Sequence, residues 1–283
     1  MSQPDRGRGR GRKPSPSPVS AAALESGLPL WRPERVGEAE VAAPLAALRP
    51  DLGVVVAFGQ FLPKRIRELP GRGYLVNAHA SLLPRHRGAA PIARAILAGD
   101  TETGISVMRV EKEMDAGAVC LVRRTPIGAE EDAGSLGQRL AAIAAEALVE
   151  ALGRIAAGDV EWTEQDASRA TLAPKLAPED RDLDWSQDAE SLVRRVRALA
   201  PTPGARTWLD GEALRVLAAR AEPGRADGPP GRVRLDAGGT LRVATGGGWL
   251  APLRLQRAGG RALDVDEYLH GRRLSDGAML GQR

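Results

Sequence analysis

The feature that most constrains the fold is the alternation of strand-like and helix-like segments over residues 52–157. Short apolar runs predict strands, and the amphipathic or alanine-rich runs between them predict helices. Strands that alternate with helices pack as a sheet covered by helices, so this region predicts an α/β layered domain with a mainly parallel sheet. The predicted strands are residues 52–57, 74–78, 104–110 and 118–123, and the predicted helices are 64–69, 91–98 and 135–157.

The last third of the chain has a different pattern. An irregular, polar stretch at residues 159–175 predicts a linker, and a helix is predicted over 189–200. Short strands separated by glycine-rich turns then predict a small β-barrel. The predicted organisation is therefore a first domain at 1–158, a linker at 159–175 and a second domain at 176–283. The barrel strands are predicted at 206–209, 213–218, 231–235, 240–244 and 249–255.

Polar side chains lie at the C-terminal end of the predicted strand at 74–78, the position at which ligands bind in open α/β sheets. Asn77 and His79 are two residues apart, so on an extended backbone both project to the same side. A carboxamide can donate to a developing oxyanion, and an imidazole can move a proton near neutral pH. Asp115 lies in a predicted turn between two strands, and that turn can bring its carboxylate beside His79. On spacing alone, an Asn-x-His pair is also consistent with simple hydrogen bonding at a strand end.

A longer run around this pair has a recognisable pattern. It reads Asn-Ala-His-Ala-Ser-Leu-Leu-Pro-Arg-His-Arg-Gly-Ala-Ala-Pro-Ile from Asn77 to Ile92, and Asp-Ala-Gly follows at 115–117. Further matching segments lie at 54–63, 173–176, 184–186 and 197–204. Together they resemble the folate-dependent formyltransferases, and within them the methionyl-tRNA formyltransferases. The resemblance implies a Rossmann-like formyltransferase domain followed by an OB-like β-barrel domain that contacts tRNA.

The resemblance also implies a reaction and its residues. A formyl group would pass from 10-formyltetrahydrofolate to the α-amine of methionine esterified to initiator tRNA. Asn77, His79 and Asp115 would be catalytic, with Asn77 and protonated His79 stabilising the oxyanion and Asp115 orienting His79. No metal is expected, because the sequence shows no His/Cys cluster. The residues implied to line the folate site are Phe58, Gly59, Gln60, Phe61, Leu62, Ser81, Leu82, Leu83 and Pro84.

Basic charge is concentrated at the two ends of the chain. The formal net charge is +4 for residues 1–13, +4 for 204–283 and +4 overall, which leaves −4 for the middle. Basic ends around an acidic middle predict a large polyanionic partner. The Gly/Arg run at the head is also typical of a generic solvated or RNA-binding segment. Its position matches the tRNA-contacting loop of the resembled family, so the resemblance implies tRNA contact by Arg8, Arg10, Arg12 and Lys13.

The remaining composition indicates the compartment. The start of the chain has no apolar run typical of a signal peptide, and no stretch reaches the length of a membrane span. A single cysteine, Cys120, excludes a disulfide framework within the chain. We therefore expect a cytoplasmic protein with no membrane partner, and we expect a monomer.

His86, which has no partner visible in the sequence, is expected to be exposed to solvent.

Three alternatives remain open from the sequence, and they differ in substrate or in activity. A glycinamide ribonucleotide formyltransferase would share the Asn/His/Asp set, and a sugar-nucleotide formyltransferase could carry a second domain. The third is a truncated relative that binds RNA with weak or no activity. The resembled family opens with an apolar strand and a Gly-Thr-Pro loop, neither of which this sequence contains. We therefore expect the 283-residue form to be poorly stable and the natural product to start upstream.

Overall fold

The computed structural model describes residues 1–7, 14–236, 240–271 and 274–281. The chain forms two compact units, each assembled from separate stretches of sequence. One unit comprises Met1–His79, Ser106–Leu121 and Ala147–Ala167, and the other comprises Ala80–Ile105, Val122–Glu146 and Ser168–Arg283. The domain boundaries expected from the sequence stay a prediction.

The first half of the chain contains short strands and helices in alternation. In chain order they are β1 (Arg6–Gly7), β2 (Pro14–Ser15), α1 (Pro18–Glu25), α2 (Ala39–Ala47), β3 (Gly53–Val55), α3 (Lys64–Arg67), β4 (Leu75–His79), α4 (Pro91–Ala98), β5 (Glu102–Arg109), β6 (Val119–Pro126) and α5 (Ala133–Ala157). The predicted layered α/β arrangement is confirmed.

The strands β3 to β6 form one sheet in the order β3-β4-β5-β6. β3 and β4 are parallel, with Val54 opposite Val76, whereas β4 and β5 are antiparallel, with His79 opposite Ser106. The sheet is therefore mixed, and the expectation of a mainly parallel sheet is wrong. Alternation predicts parallel strands only where each helix carries the chain back along the sheet. Here the start of β5 lies beside the C-terminal end of β4, so the two strands run in opposite directions. The helix between them, α4, packs against a helix from the second half of the chain.

A small core supports the β3–β4 end of this sheet. It contains the buried side chains of Val36, Leu62, Ile66 and Leu75, and α2 packs against it through partly buried residues such as Leu45. Apolar contact of this kind supplies most of the stability of short elements, whose own backbone hydrogen bonds contribute little. The core therefore fixes the loop between β3 and α3 relative to β4.

The second half of the chain forms an antiparallel β domain. Its elements are α6 (Ala189–Leu199), β7 (Ala205–Leu209), β8 (Glu212–Glu222), β9 (Val233–Leu235), β10 (Leu241–Ala244), β11 (Trp249–Arg257), β12 (Ala262–Asp264) and α7 (Val265–Gly271). The strand order is β7-β8-β11-β10-β9, and β12 pairs with β11. The predicted C-terminal β domain is confirmed.

The C-terminal segment joins the two edges of this sheet. The Val233 amide of β9 donates to the Ala278 carbonyl at 2.7 Å, and the Gly281 amide donates to the Trp208 carbonyl of β7 at 2.9 Å. Joined edges give the sheet the closure that a barrel requires. The helix α6 contributes Leu192 and Leu199, both fully buried, to the core of the domain. None of the helices in the described residues is long and apolar enough to cross a membrane.

Candidate active site

Two of the predicted site residues lie at the end of β4. The strand begins with buried Leu75 and Val76, which belong to the interior of the unit, and its polar residues follow. Asn77 lies between Val55 of β3 and Met108 of β5, so its backbone is held from both sides. His79, two residues further on, projects to the same face of the sheet as Asn77. The predicted positions of both residues at a strand end agree with the structure.

The structure brings Asp115 to His79. The carboxylate oxygen Oδ2 of Asp115 lies 3.5 Å from Nδ1 of His79, and the two side chains are 15% and 7% exposed. The pair is thus largely removed from water. An interaction between a carboxylate and an imidazole is stronger in such a buried environment than at the surface. Nε2 is the imidazole nitrogen on the side of the ring away from Asp115. This arrangement suits an imidazole that carries or donates a proton during a reaction.

The turn that carries Asp115 has an unusual backbone. It connects β5 to β6, and Asp115 has φ = +52°, in the left-handed region that side-chain-bearing residues seldom adopt. The Nε2 amide of Gln165 donates to the carbonyl oxygens of Asp115 and Gly117, at 2.8 Å each. Gln165 was not among the predicted site residues. Its sequence signal is weak, because it lies 50 residues from Asp115 in an irregular stretch.

An aromatic and cationic stack lies beside the same turn. The Arg109 guanidinium, at the end of β5, lies 4.5 Å from the ring centre of Tyr74 and 4.4 Å from that of Trp162. The two rings meet edge to face, with centres 5.5 Å apart. Cation–π contacts of a partly desolvated guanidinium are stabilising. The stack ties the segment containing Trp162 to β5, a connection that the sequence did not reveal.

The first predicted folate segment, residues 58–62, forms the loop between β3 and α3. Leu62 is buried in the core, and the Gln60 side chain is engaged with main chain, accepting from the Val36 amide at 2.8 Å and donating to the Pro33 carbonyl at 3.2 Å. Phe61 is 72% exposed, and Gly59 has φ = +76°. The loop therefore offers a ligand the Phe61 ring and its main-chain groups rather than the Gln60 carboxamide.

The second predicted folate segment, residues 81–84, follows Ala80 in the other unit. Ser81 is fully buried, and its hydroxyl donates to the Arg85 carbonyl at 2.6 Å. The peptide bond between Leu83 and Pro84 is cis. Leu82 lies against Gly104, where an added Cβ would come within 2.6 Å of the leucine side chain. Segment 81–84 is thus held by hydrogen bonding and by close packing.

His86 differs from the sequence expectation. It is 7% exposed rather than solvent-exposed, and its Nε2 lies 2.6 Å from Oδ2 of Asp100. Arg85 binds the other oxygen of the same carboxylate at 2.5 Å. Burial alone would raise the pKa of Asp100, but the hydrogen bonds from His86 and Arg85 outweigh burial and hold it below its usual value. The partner was invisible in the sequence because it lies beyond α4.

The basic residues expected to contact tRNA, Arg8, Arg10, Arg12 and Lys13, lie outside the described residues. The flanking strands β1 and β2 are described and pair with each other in antiparallel fashion. Within the part of the chain that the structure describes, no group of three or more His, Cys, Asp or Glu side chains is arranged to hold a metal ion.

Two family models that match this chain define the class of protein to which it belongs. The family model described as "Formyl transferase" matches residues 1–152, and the one described as "Formyl transferase, C-terminal domain" matches residues 175–273. The site of Asn77, His79 and Asp115 therefore lies in a formyl transferase domain.

Relatives that match nearly the whole chain show which member of the formyl transferase family it resembles. A methionyl-tRNA formyltransferase from Halorhodospira halophila is 49% identical over 276 residues, covering 98% of this chain and 88% of that protein. One from Pseudomonas fluorescens is 46% identical over 283 residues, covering 99% and 88%. The chain belongs to the formyl transferase family and, within it, to the methionyl-tRNA formyltransferases.

A solved structure agrees at the level of fold. The N-formyltransferase from Helicobacter canadensis, in complex with folinic acid and dTDP-3-aminofucose, superposes with a TM-score of 0.65. It is 12% identical and covers 91% of this chain and 87% of that one. At this identity the likeness concerns the fold and carries no information about the amine that is formylated.

Proposed function

We propose that this chain transfers the formyl group of 10-formyltetrahydrofolate to the α-amino group of methionine on initiator tRNA, and so supports the initiation of translation. The observation that carries the proposal is the 49% identity to a methionyl-tRNA formyltransferase over 98% of the chain. The site geometry supports it independently, because a buried imidazole with a carboxylate at Nδ1 shares a strand face with a carboxamide.

In the proposed reaction the amine attacks as the free base, and a bond forms between its nitrogen and the formyl carbon. The carbonyl oxygen then carries negative charge, which the Asn77 carboxamide and protonated His79 stabilise as hydrogen-bond donors. The bond to the folate nitrogen breaks, that nitrogen takes a proton, and the attacking nitrogen loses one. Asp115 holds the imidazole with Nδ1 toward the carboxylate and so orients His79 toward the developing oxyanion.

The loop between β3 and α3 supports the proposal of a folate co-substrate. A pteridine ring needs a planar apolar surface together with main-chain donors and acceptors at its edge. In residues 58–62 the exposed ring of Phe61 offers such a surface, and Gly59, with φ = +76°, lies beside it in the same loop. The fold neighbour that was solved with folinic acid lends the same proposal support.

The test is a substrate comparison with purified protein and 10-formyltetrahydrofolate. Methionyl-initiator tRNA, methionyl-elongator tRNA and an amino-sugar nucleotide are offered in parallel, and formylated product is quantified in each. We expect formylation of methionyl-initiator tRNA with the highest kcat/KM of the three. Preferential formylation of the amino-sugar nucleotide, or tRNA binding without any transfer, would refute the proposal.

A further inference from the structure

The turn that carries Asp115 is held by a side chain from a remote part of the sequence. Nε2 of Gln165 donates to the carbonyl oxygens of Asp115 and Gly117, and both distances are 2.8 Å. The two carbonyls flank one residue, so a single nitrogen that binds both fixes the direction of the peptide units between them. The contact acts on the main chain of the turn and leaves the Asp115 carboxylate directed at His79.

The turn needs support of this kind. At φ = +52° the backbone of Asp115 is in a conformation that persists only where its surroundings determine it. The turn also lies directly against the end of β5, since a Cβ added at Gly117 would come within 2.1 Å of the Arg109 carbonyl oxygen. The distance of 3.5 Å between Nδ1 of His79 and Oδ2 of Asp115 is already at the limit for a hydrogen bond. A further displacement of the turn away from His79 would therefore break the contact.

Gln165 is itself well anchored. Two residues earlier, Thr163 exchanges both backbone hydrogen bonds with Val119 at the start of β6, at 2.9 Å each. The preceding Trp162 lies against the Arg109 guanidinium, 4.4 Å from the centre of its ring. The segment that delivers the carboxamide is therefore fixed to both strands that the Asp115 turn connects. A rigid support is what an orienting contact requires.

We propose that Gln165 is a positioning residue for the reaction, acting through Asp115: its carboxamide holds the turn so that the Asp115 carboxylate meets His79. This inference rests on the proposed catalytic roles of Asp115 and His79. Gln165 touches neither substrate nor reacting atoms in this assignment, so its removal affects turnover more than binding.

The test uses Gln165→Met, which removes both hydrogen bonds at nearly constant shape, and Gln165→Glu, which places an anion against two carbonyl oxygens. We expect Gln165→Met to lower kcat by roughly 10- to 100-fold, with KM for both substrates within about two-fold of the parent. Gln165→Glu should lower kcat further. The matched control is Gln256→Met, whose Nε2 donates to the Gly260 carbonyl at 2.9 Å in a turn of the β domain and whose loss should leave kcat unchanged.

The double variant separates positioning from general weakening of the fold. If Gln165 acts through Asp115, Gln165→Met combined with Asp115→Asn should be as slow as Asp115→Asn alone, within about two-fold. Multiplicative losses, or a parent-like kcat in Gln165→Met when Asp115→Asn is impaired, would overturn the inference and leave the proposed function standing. A parent-like kcat in Asp115→Asn would overturn the proposed roles and this inference together.

Discussion

At the scale of single residues, Asp115 combines two requirements that few side chains meet. Its backbone adopts a left-handed conformation, and its carboxylate lies at Nδ1 of His79. Aspartate and asparagine visit this region more readily than other non-glycine residues, because their short side chains hydrogen-bond locally. The sequence could predict the carboxylate from its place in a turn. The left-handed backbone and the Gln165 contact depend on packing from 50 residues away and left no local pattern.

Asparagine at this position separates the two requirements. Asp115→Asn should keep the backbone and the fold, because asparagine tolerates the same conformation, but it removes the charge that orients His79. We expect kcat to fall by about 100- to 10,000-fold, the range seen when an orienting carboxylate or an acid–base group is lost. The melting temperature should stay close to that of the parent. A large drop in melting temperature would show that the carboxylate serves the fold instead.

At the scale of elements, the helices whose ends are marked by local residues such as proline and glycine were predicted well. Helix α4 begins at Pro91 and ends before Gly99, which has φ = +76°, and its predicted bounds match the structure. The helices α1 and α2 were missed, because Pro18–Glu25 and Ala39–Ala47 bury few side chains and therefore show little periodicity. The stretch at 159–175 reads as a linker by composition, yet Gln165 and Thr163 fix it by contacts that only the tertiary structure provides.

The N-terminal cap of helix α6, in the β domain, allows the contribution of one local sequence signal to stability to be tested. The Asp188 carboxylate caps its first turn by accepting from the Ser191 amide at 2.8 Å. Hydrogen bonds from the Ser191 side chain and backbone hold the pKa of Asp188 below its usual value. Asp188→Ala should destabilise the protein by about 0.5–2 kcal/mol at neutral pH, as measured by denaturant unfolding.

The pH dependence of that effect follows from the lowered pKa of Asp188. A carboxylate whose pKa is depressed in the folded state contributes stability above its unfolded pKa of about 3.9 and loses it as the pH falls through the folded pKa. The difference between parent and Asp188→Ala should therefore shrink in acid. Asp188→Asn is the control, since it caps the helix without titrating. An acid-insensitive difference between Asp188→Ala and the parent would contradict the capping role of the ionised form.

At the scale of the whole molecule, the class of fold was predictable and the direction of its strands was not. Apolar runs and turns indicate a layered α/β region followed by a β region, and both were found. The antiparallel β4–β5 pairing depends on the path of the chain through α4, which periodicity does not record. The buried pairing of His86 with Asp100 could not be predicted from the sequence for the same reason, because α4 separates the two residues.

Charge distribution is the other property of the whole chain, and it leads to a prediction about the basic head. Residues 1–13 carry a formal charge of +4, whereas residues 14–203 carry −4. If the head contacts phosphates of tRNA, Arg8→Ala, Arg10→Ala and Arg12→Ala together should weaken tRNA binding. Each lost phosphate contact should also flatten the slope of log affinity against log salt by about 0.7–0.9. Affinity for the folate co-substrate should be unchanged, since that site lies elsewhere in the proposed assignment.

The matched control replaces three exposed arginines of the acidic middle, Arg35, Arg65 and Arg169, by alanine. Both triple variants lose the same formal charge, so a non-specific effect of net charge would change the salt slope equally in the two. We expect the slope to flatten only when the head is changed, because counterions are released only where a side chain lies at a phosphate. Binding is measured by titration at several salt concentrations with methionyl-initiator tRNA. Equal slopes in the parent and the head variant would show that the basic run is a solvated segment with no part in recognition.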